Sequence, residues 1–145
     1  LAFLPEQKTV SEILKVDPKV CMAMGAGLFA ASALLRFLSV RYMINIGKQT
    51  DEGFQLKTLC TRGPYGIFRH PIYVGVLGCT LAAPLVLDSV YALAGPMAYA
   101  TWAYVWVIPS EERAMMDKFT EEYKSYCEKS ALAFIYETLM RSVKQ

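Results

Sequence analysis

The sequence predicts an all-α integral membrane helical bundle, with a transmembrane helical hairpin followed by a cytoplasmic amphipathic C-terminal helix. Three observations predict it. Hydrophobic residues fill 54% of the 145 positions and charged residues only 19%, below the roughly 25% charged content of ordinary soluble domains. Three apolar stretches stand out, at about Val20 to Gly47, Ile72 to Leu87 and Val90 to Ile108. Basic residues gather on both outer flanks of the last two stretches and are missing from the turn between them.

A hydrocarbon core of about 30 Å takes roughly 20 helical residues. The first stretch is long enough, although Arg36 and Arg41 interrupt it. Arg36 reads either as snorkelling toward the cytoplasmic interface or as a polar contact inside the bundle. The third stretch is close to the needed length. The second is short but can start at Pro71, with its polar flanks reaching the headgroups. Asp88 and Ser89 separate the second and third stretches, and either can cap the helix that follows, so the two read as a tight hairpin. Arg41, Lys48, Lys57, Arg62 and Arg69 precede it, and Arg113, Lys118, Lys124, Lys129, Arg141 and Lys144 follow it. The positive-inside rule places both flanks in the cytoplasm and the tip opposite.

Small residues in the spans (Gly25, Ala26, Gly27, Ala30, Ala31, Ser32, Gly75, Gly78, Ala94 and Gly95) permit close helix contact in lipid, and Pro84 and Pro96 are candidate kinks. From Ser110 to Ser130 the apolar Met115, Met116, Phe119, Tyr123, Tyr126 and Cys127 recur at spacings of three and four, giving an amphipathic helix along the membrane or bundle surface. Ala131 to Tyr136 suggests a further interfacial piece, and Thr9 to Lys15 a short helix. One domain spanning 1–145 is expected. Leu1 is not Met, so a fragment or processed form lacking its native N-terminus is expected, and no signal-peptide pattern opens it.

The net charge of +2 is too small to point to nucleic acid. Cys21, Cys60, Cys79 and Cys127 form no C-x-x-C pair and read as buried or lipid-facing thiols. A single histidine, His70, argues against zinc, and no metal is expected. The densest chemical signal runs from Thr61 to Gly75. Gly63-Pro64 reads as a turn, and Pro71 suits the first turn of a helix. His70 then sits at the helix start, where free N–H groups favour an anion such as a carboxylate. Past the hairpin, Pro109-Ser110-Glu111-Glu112 opens the amphipathic helix. The acids complement the dipole there, with Ser110 as cap, or serve as acceptors for hydroxyl or ammonium groups. The hairpin brings them back beside His70, so the two polar ends make a cofactor clamp.

The ordered set Gly63-Pro64-Tyr65, Arg69-His70-Pro71, Tyr73, Gly75, Glu111-Glu112 and Phe119-Thr120-Glu121-Glu122-Tyr123-Lys124-Ser125-Tyr126 resembles the isoprenylcysteine carboxyl methyltransferase and phospholipid methyltransferase superfamily, over about Lys57 to Tyr126. The resemblance implies a membrane enzyme that binds S-adenosylmethionine at the cytosolic face and methylates a membrane lipid or prenylated substrate. It implies donor contacts at Lys57, Thr58, Leu59, Cys60, Tyr65, His70, Pro71, Ile72, Tyr73 and Glu111, and names no catalytic residue. The implied location is the endoplasmic reticulum in a eukaryote or the inner membrane in a bacterium. Val107 stands where isoprenylcysteine enzymes carry an arginine for the substrate carboxylate, and Thr120 replaces a family glycine. Two other readings stay open: an NADPH-dependent sterol-type reductase, which the resemblance also touches, and a non-catalytic protein on the same scaffold.

Overall fold

Thr9 opens the first helix with a reciprocal cap. Its hydroxyl accepts from the Glu12 N–H, and the Glu12 carboxylate accepts from the Thr9 N–H at 3.0 Å, so two otherwise unpaired donors are satisfied. The computed structural model describes residues 8–50 and 53–129; the expected interfacial piece at 131–136 lies outside them. Helix α1 (Val10–Leu14) ends at Lys15 in a left-handed conformation. Asp17 then caps α2 (Pro18–Ile46) by accepting from the Lys19 N–H at 2.7 Å. With 29 residues α2 extends about 44 Å at 1.5 Å per residue. It is the one described helix long and apolar enough to cross a membrane unaided.

Helix α3 (Pro71–Val86) packs along α2, and the close approaches fix its direction. Gly25 faces Leu85 and Val86, Gly78 faces Ser32, and Gly75 faces Arg36, so the two helices run antiparallel. A Cβ on Gly75 would lie 2.8 Å from Arg36 Cβ and 2.9 Å from the Ser32 carbonyl oxygen. Glycine is therefore required for backbone contact here, as the small-residue pattern predicts. Gly27 and Gly95 meet nothing within 4 Å and play no such part.

Between α2 and α3 the chain makes a two-stranded antiparallel hairpin, β1 (Gly47–Thr50) with β2 (Gly53–Leu56), in the register Gly47 to Leu56 and Thr50 to Gly53. The otherwise helical reading of the sequence offered no element there. A 3₁₀ turn (Gly63–Gly66) follows. After α3 come a 3₁₀ turn (Val90–Leu93), helix α4 (Ala94–Trp102), a π-helical segment (Ala103–Val107) and helix α5 (Ile108–Lys129). Pro84 lies in the last turn of α3 and Pro96 in the first turn of α4, near the helix ends rather than in mid-helix.

Two predicted caps are corrected. Asp88 does not cap the following helix. Its carboxylate accepts from the Ser11 N–H (2.6 Å) and hydroxyl (2.7 Å), tying α1 to the turn after α3, and Ser89 makes no side-chain cap. Ser110 is no cap either, because helical backbone runs unbroken from α4 through the π segment into α5 and leaves no free N-terminus. Its hydroxyl donates to the Val107 carbonyl at 2.7 Å. A reversal of the chain after α3 returns α5 to the start of α3, where Tyr73 donates to Glu111 at 2.5 Å. Few apolar side chains are enclosed. Phe29, Phe37, Tyr91, Met97, Trp102, Tyr104 and Trp106 are all exposed, an apolar surface larger than a water-facing monomer usually shows.

Candidate active site

The segment before α3 is built by one glycine and one tyrosine. Gly63 adopts φ 61°, and a Cβ there would lie 2.6 Å from the Tyr42 ring of α2. Both its conformation and its contact therefore exclude a side chain. Tyr126 of α5, buried, donates its hydroxyl to the Tyr65 carbonyl at 2.6 Å and more weakly to that of Phe68 at 3.4 Å. The loop is thereby clamped between α2 and α5, and His70 is delivered as the residue preceding α3, with Pro71 in its first turn.

At this point the polar ends meet. His70 Nε2 lies 3.1 Å from Glu112 Oε1, and His70 Nδ1 lies 3.7 Å from Glu111 Oε2. Arg69 Nη1 approaches Glu112 Oε1 at 3.3 Å and Cys127 Sγ at 3.7 Å. Burial works against the imidazolium, but hydrogen bonds and charge from Glu111 and Glu112 outweigh it, so the His70 pKa is raised. Burial likewise opposes ionisation of Glu111, but its hydrogen bonds from His70 and Tyr73 prevail and lower its pKa. The His70 hydrogen bond lowers that of Glu112 against a smaller burial effect, with help from Arg69. The site thus favours the ionised carboxylates and the imidazolium together. Since α5 has no free N-terminus here, these partners replace the dipole explanation of the acids.

A cavity of about 620 Å³ opens beside this cluster, a normal size for a small-molecule site. Of the ten expected donor contacts, Leu59, Cys60, Tyr65, His70, Pro71, Ile72, Tyr73 and Glu111 line it. Lys57 and Thr58 do not. Lys57 is exposed and its N–H pairs with the Ile46 carbonyl at the base of the hairpin. Thr58 faces a separate, shallower depression with Thr61 and Glu122. Val40 and Met43 of α2 and Arg69, Ala114, Met115, Lys118, Tyr123 and Tyr126 also line the cavity. The helical periodicity marked Met115, Tyr123 and Tyr126 as an apolar face, without showing what that face covers. Burial pushes the Cys60 thiol upward, so it stays protonated and is no nucleophile. Burial also keeps the Tyr65, Tyr123 and Tyr126 phenols un-ionised, their pKa values raised.

A model of the phospholipid methyltransferase family matches residues 20–122, more than half of the chain, and the match contains α3, α4, all but the first two residues of α2, and both Glu111 and Glu112. The chain belongs to the phospholipid methyltransferase family. That membership implies a membrane-associated methyltransferase, and α2 supplies a helix suited to a bilayer. No curated protein and no solved structure matches the chain.

The donor set also suits a zwitterionic methyl donor. Glu111 can accept from an ammonium or a hydroxyl, His70 can donate to a carboxylate, and Tyr65, Ile72 and Leu59 offer flat apolar surface for an aromatic base. The tyrosine faces favour a cation.

Proposed function

We propose that this single-domain, multi-pass membrane protein binds S-adenosylmethionine in the cavity between α2, α3 and α5. It transfers the methyl group to the amine of a phospholipid headgroup at the cytosolic face. The observation that carries the reading is the convergence of His70, Tyr73 and Glu111, from two segments far apart in sequence, on one cavity of about 620 Å³, with Glu112 paired to His70 behind them. When bound, the sulfonium supplies an already activated methyl group, so the protein contributes alignment and shielding.

The residues divide the work. Glu111, fixed by Tyr73, holds hydroxyl or ammonium groups of the donor. His70, whose pKa the two carboxylates raise, holds the donor carboxylate rather than acting as the base. An ammonium acceptor must lose a proton before it can attack. The amine attacks in its neutral form, its proton lost to bulk water rather than to Glu111, whose lowered pKa makes it a poor base. An isoprenylcysteine carboxylate fits less well, because Val107 offers no charge where that substrate's arginine would stand.

Calorimetry of the purified protein in detergent tests this reading with S-adenosylmethionine, S-adenosylhomocysteine and NADPH. Saturable binding of the first two, weakened by His70→Ala, is expected. Binding of NADPH alone would replace the reading with the reductase. Silence toward all three, in folded protein, would leave a non-catalytic scaffold.

A further inference from the structure

One cation in the cavity wall has no work in the donor site. Arg69, His70 and Lys118 are the basic residues lining the cavity. Arg69 and His70 are engaged by Glu111 and Glu112. Lys118 forms no ion pair among the described residues; its ammonium lies 5.7 Å from the centre of the Phe119 ring, and its side chain is exposed. An exposed cation on the cavity wall is a ready partner for an anion.

The position of Lys118 gives that anion an address. It lies seven residues beyond Glu111 on α5, two turns along the same face and about 10 Å by helix rise. Helical side chains lean toward the N-terminus, so the lysine stem leans back toward Glu111. Val40 and Met43 of α2, one turn apart, line the same cavity. An amphiphile lying between these helices would set apolar chains against α2, a nitrogen near Glu111 and an anionic group beside Lys118.

We propose that Lys118 is a specificity-determining contact for the acceptor, binding the phosphodiester of an aminophospholipid whose amine reaches the Glu111 end of the cavity. This rests on the methyltransferase reading and adds the headgroup feature by which the acceptor is chosen. A carboxylate on a prenylated acceptor has the same chemistry; the amine reading and Val107 commit the proposal to the phosphodiester.

The test measures binding to the full chain in detergent, by calorimetry, of three probes. They are a short-chain phosphatidylethanolamine, an N-alkylethanolamine of matched length without phosphate, and an S-farnesyl cysteine carboxylate. Loss of one charged contact predicts that Lys118→Gln binds the phospholipid about tenfold or more weakly and the alkylethanolamine unchanged, with Lys118→Arg restoring most of the affinity. Equal phospholipid affinity in Lys118→Gln and the native chain overturns the proposal, as does an equal loss for phospholipid and alkylethanolamine. A loss confined to the farnesyl cysteine overturns the choice of phosphodiester. S-adenosylmethionine binding by the native chain, measured alongside, reports separately on the methyltransferase reading. If it is absent that reading fails, whatever the lipid result.

Discussion

Replacing Gly75 by alanine drives α2 and α3 apart. The added methyl meets Arg36 Cβ at 2.8 Å, the Ser32 carbonyl oxygen at 2.9 Å and the Arg36 nitrogen at 3.0 Å. Two of these atoms are backbone and cannot rotate away, so relief requires the helices to separate. Overpacking of this kind costs about 1–3 kcal/mol, while alanine gains up to about 1 kcal/mol over glycine in a helix. With the full helical gain the expected net cost is therefore about 0–2 kcal/mol, and about 1–3 kcal/mol relative to a control that keeps the gain without the clash. Gly27→Ala supplies the control: it has the same helical gain and meets nothing within 4 Å, so it should be neutral or stabilising. Unfolding midpoints of the three proteins in one detergent provide the measurement. Because Tyr73 and His70 lie within two turns of Gly75, Gly75→Ala should also weaken donor binding, and Gly27→Ala should not. Equal midpoints for the two variants would refute the antiparallel contact on which the site's geometry stands.

Other outcomes follow from the same geometry. Gly63→Ala should cost about 1–2 kcal/mol from its left-handed backbone alone, and more because Tyr42 fills the space; its unfolding midpoint should fall. Tyr126→Phe removes the donor to the Tyr65 carbonyl and should cost about 1 kcal/mol, with a matching loss of donor affinity. The pH dependence has two limbs. The raised His70 pKa means that its contribution is complete below the unfolded value near 6.5 and is lost as pH rises through the higher folded value. The lowered Glu111 and Glu112 values mean that theirs is complete above the unfolded value near 4.5 and is lost as pH falls through the lower folded ones. Stability measured against pH should therefore be greatest between about 4.5 and 6.5 for this cluster, and His70→Ala should flatten the alkaline limb. An alkaline limb that persists unchanged in His70→Ala would contradict the assignment.

Local chemistry was legible in the sequence wherever neighbours in the chain decide it. Pro71 after His70 marked the start of α3, the apolar run marked α2, and the Thr9–Lys15 signal marked α1. Gly63-Pro64 marked the turn before His70. The predicted reversal after α3 also brings Glu111 to Tyr73. What escaped depends on distant partners. Asp88 looked like a cap for the helix beside it, yet it accepts from Ser11 across the fold, and Ser110 looked like a cap because nothing local reveals that the π segment keeps the helix continuous. Arg69 enters the site through its pairing with Glu112 of a different element. Lys57 and Thr58 are implied by family resemblance alone and do not line the cavity, and no local motif announces the strand pair at 47–56 that precedes them. Lys118 looked like one of many solvent-facing bases; only the cavity wall on which it sits separates it from Lys124.

The central claim is that His70 and Glu111 act on one bound methyl donor, and a double-mutant cycle tests it most directly. Affinity for S-adenosylmethionine is measured for the native chain, His70→Ala, Glu111→Gln and the double variant. A shared site predicts that each single change weakens binding about tenfold and that the double change departs from their sum by at least about 0.5 kcal/mol. Strict additivity, or full affinity in either single variant, would contradict it.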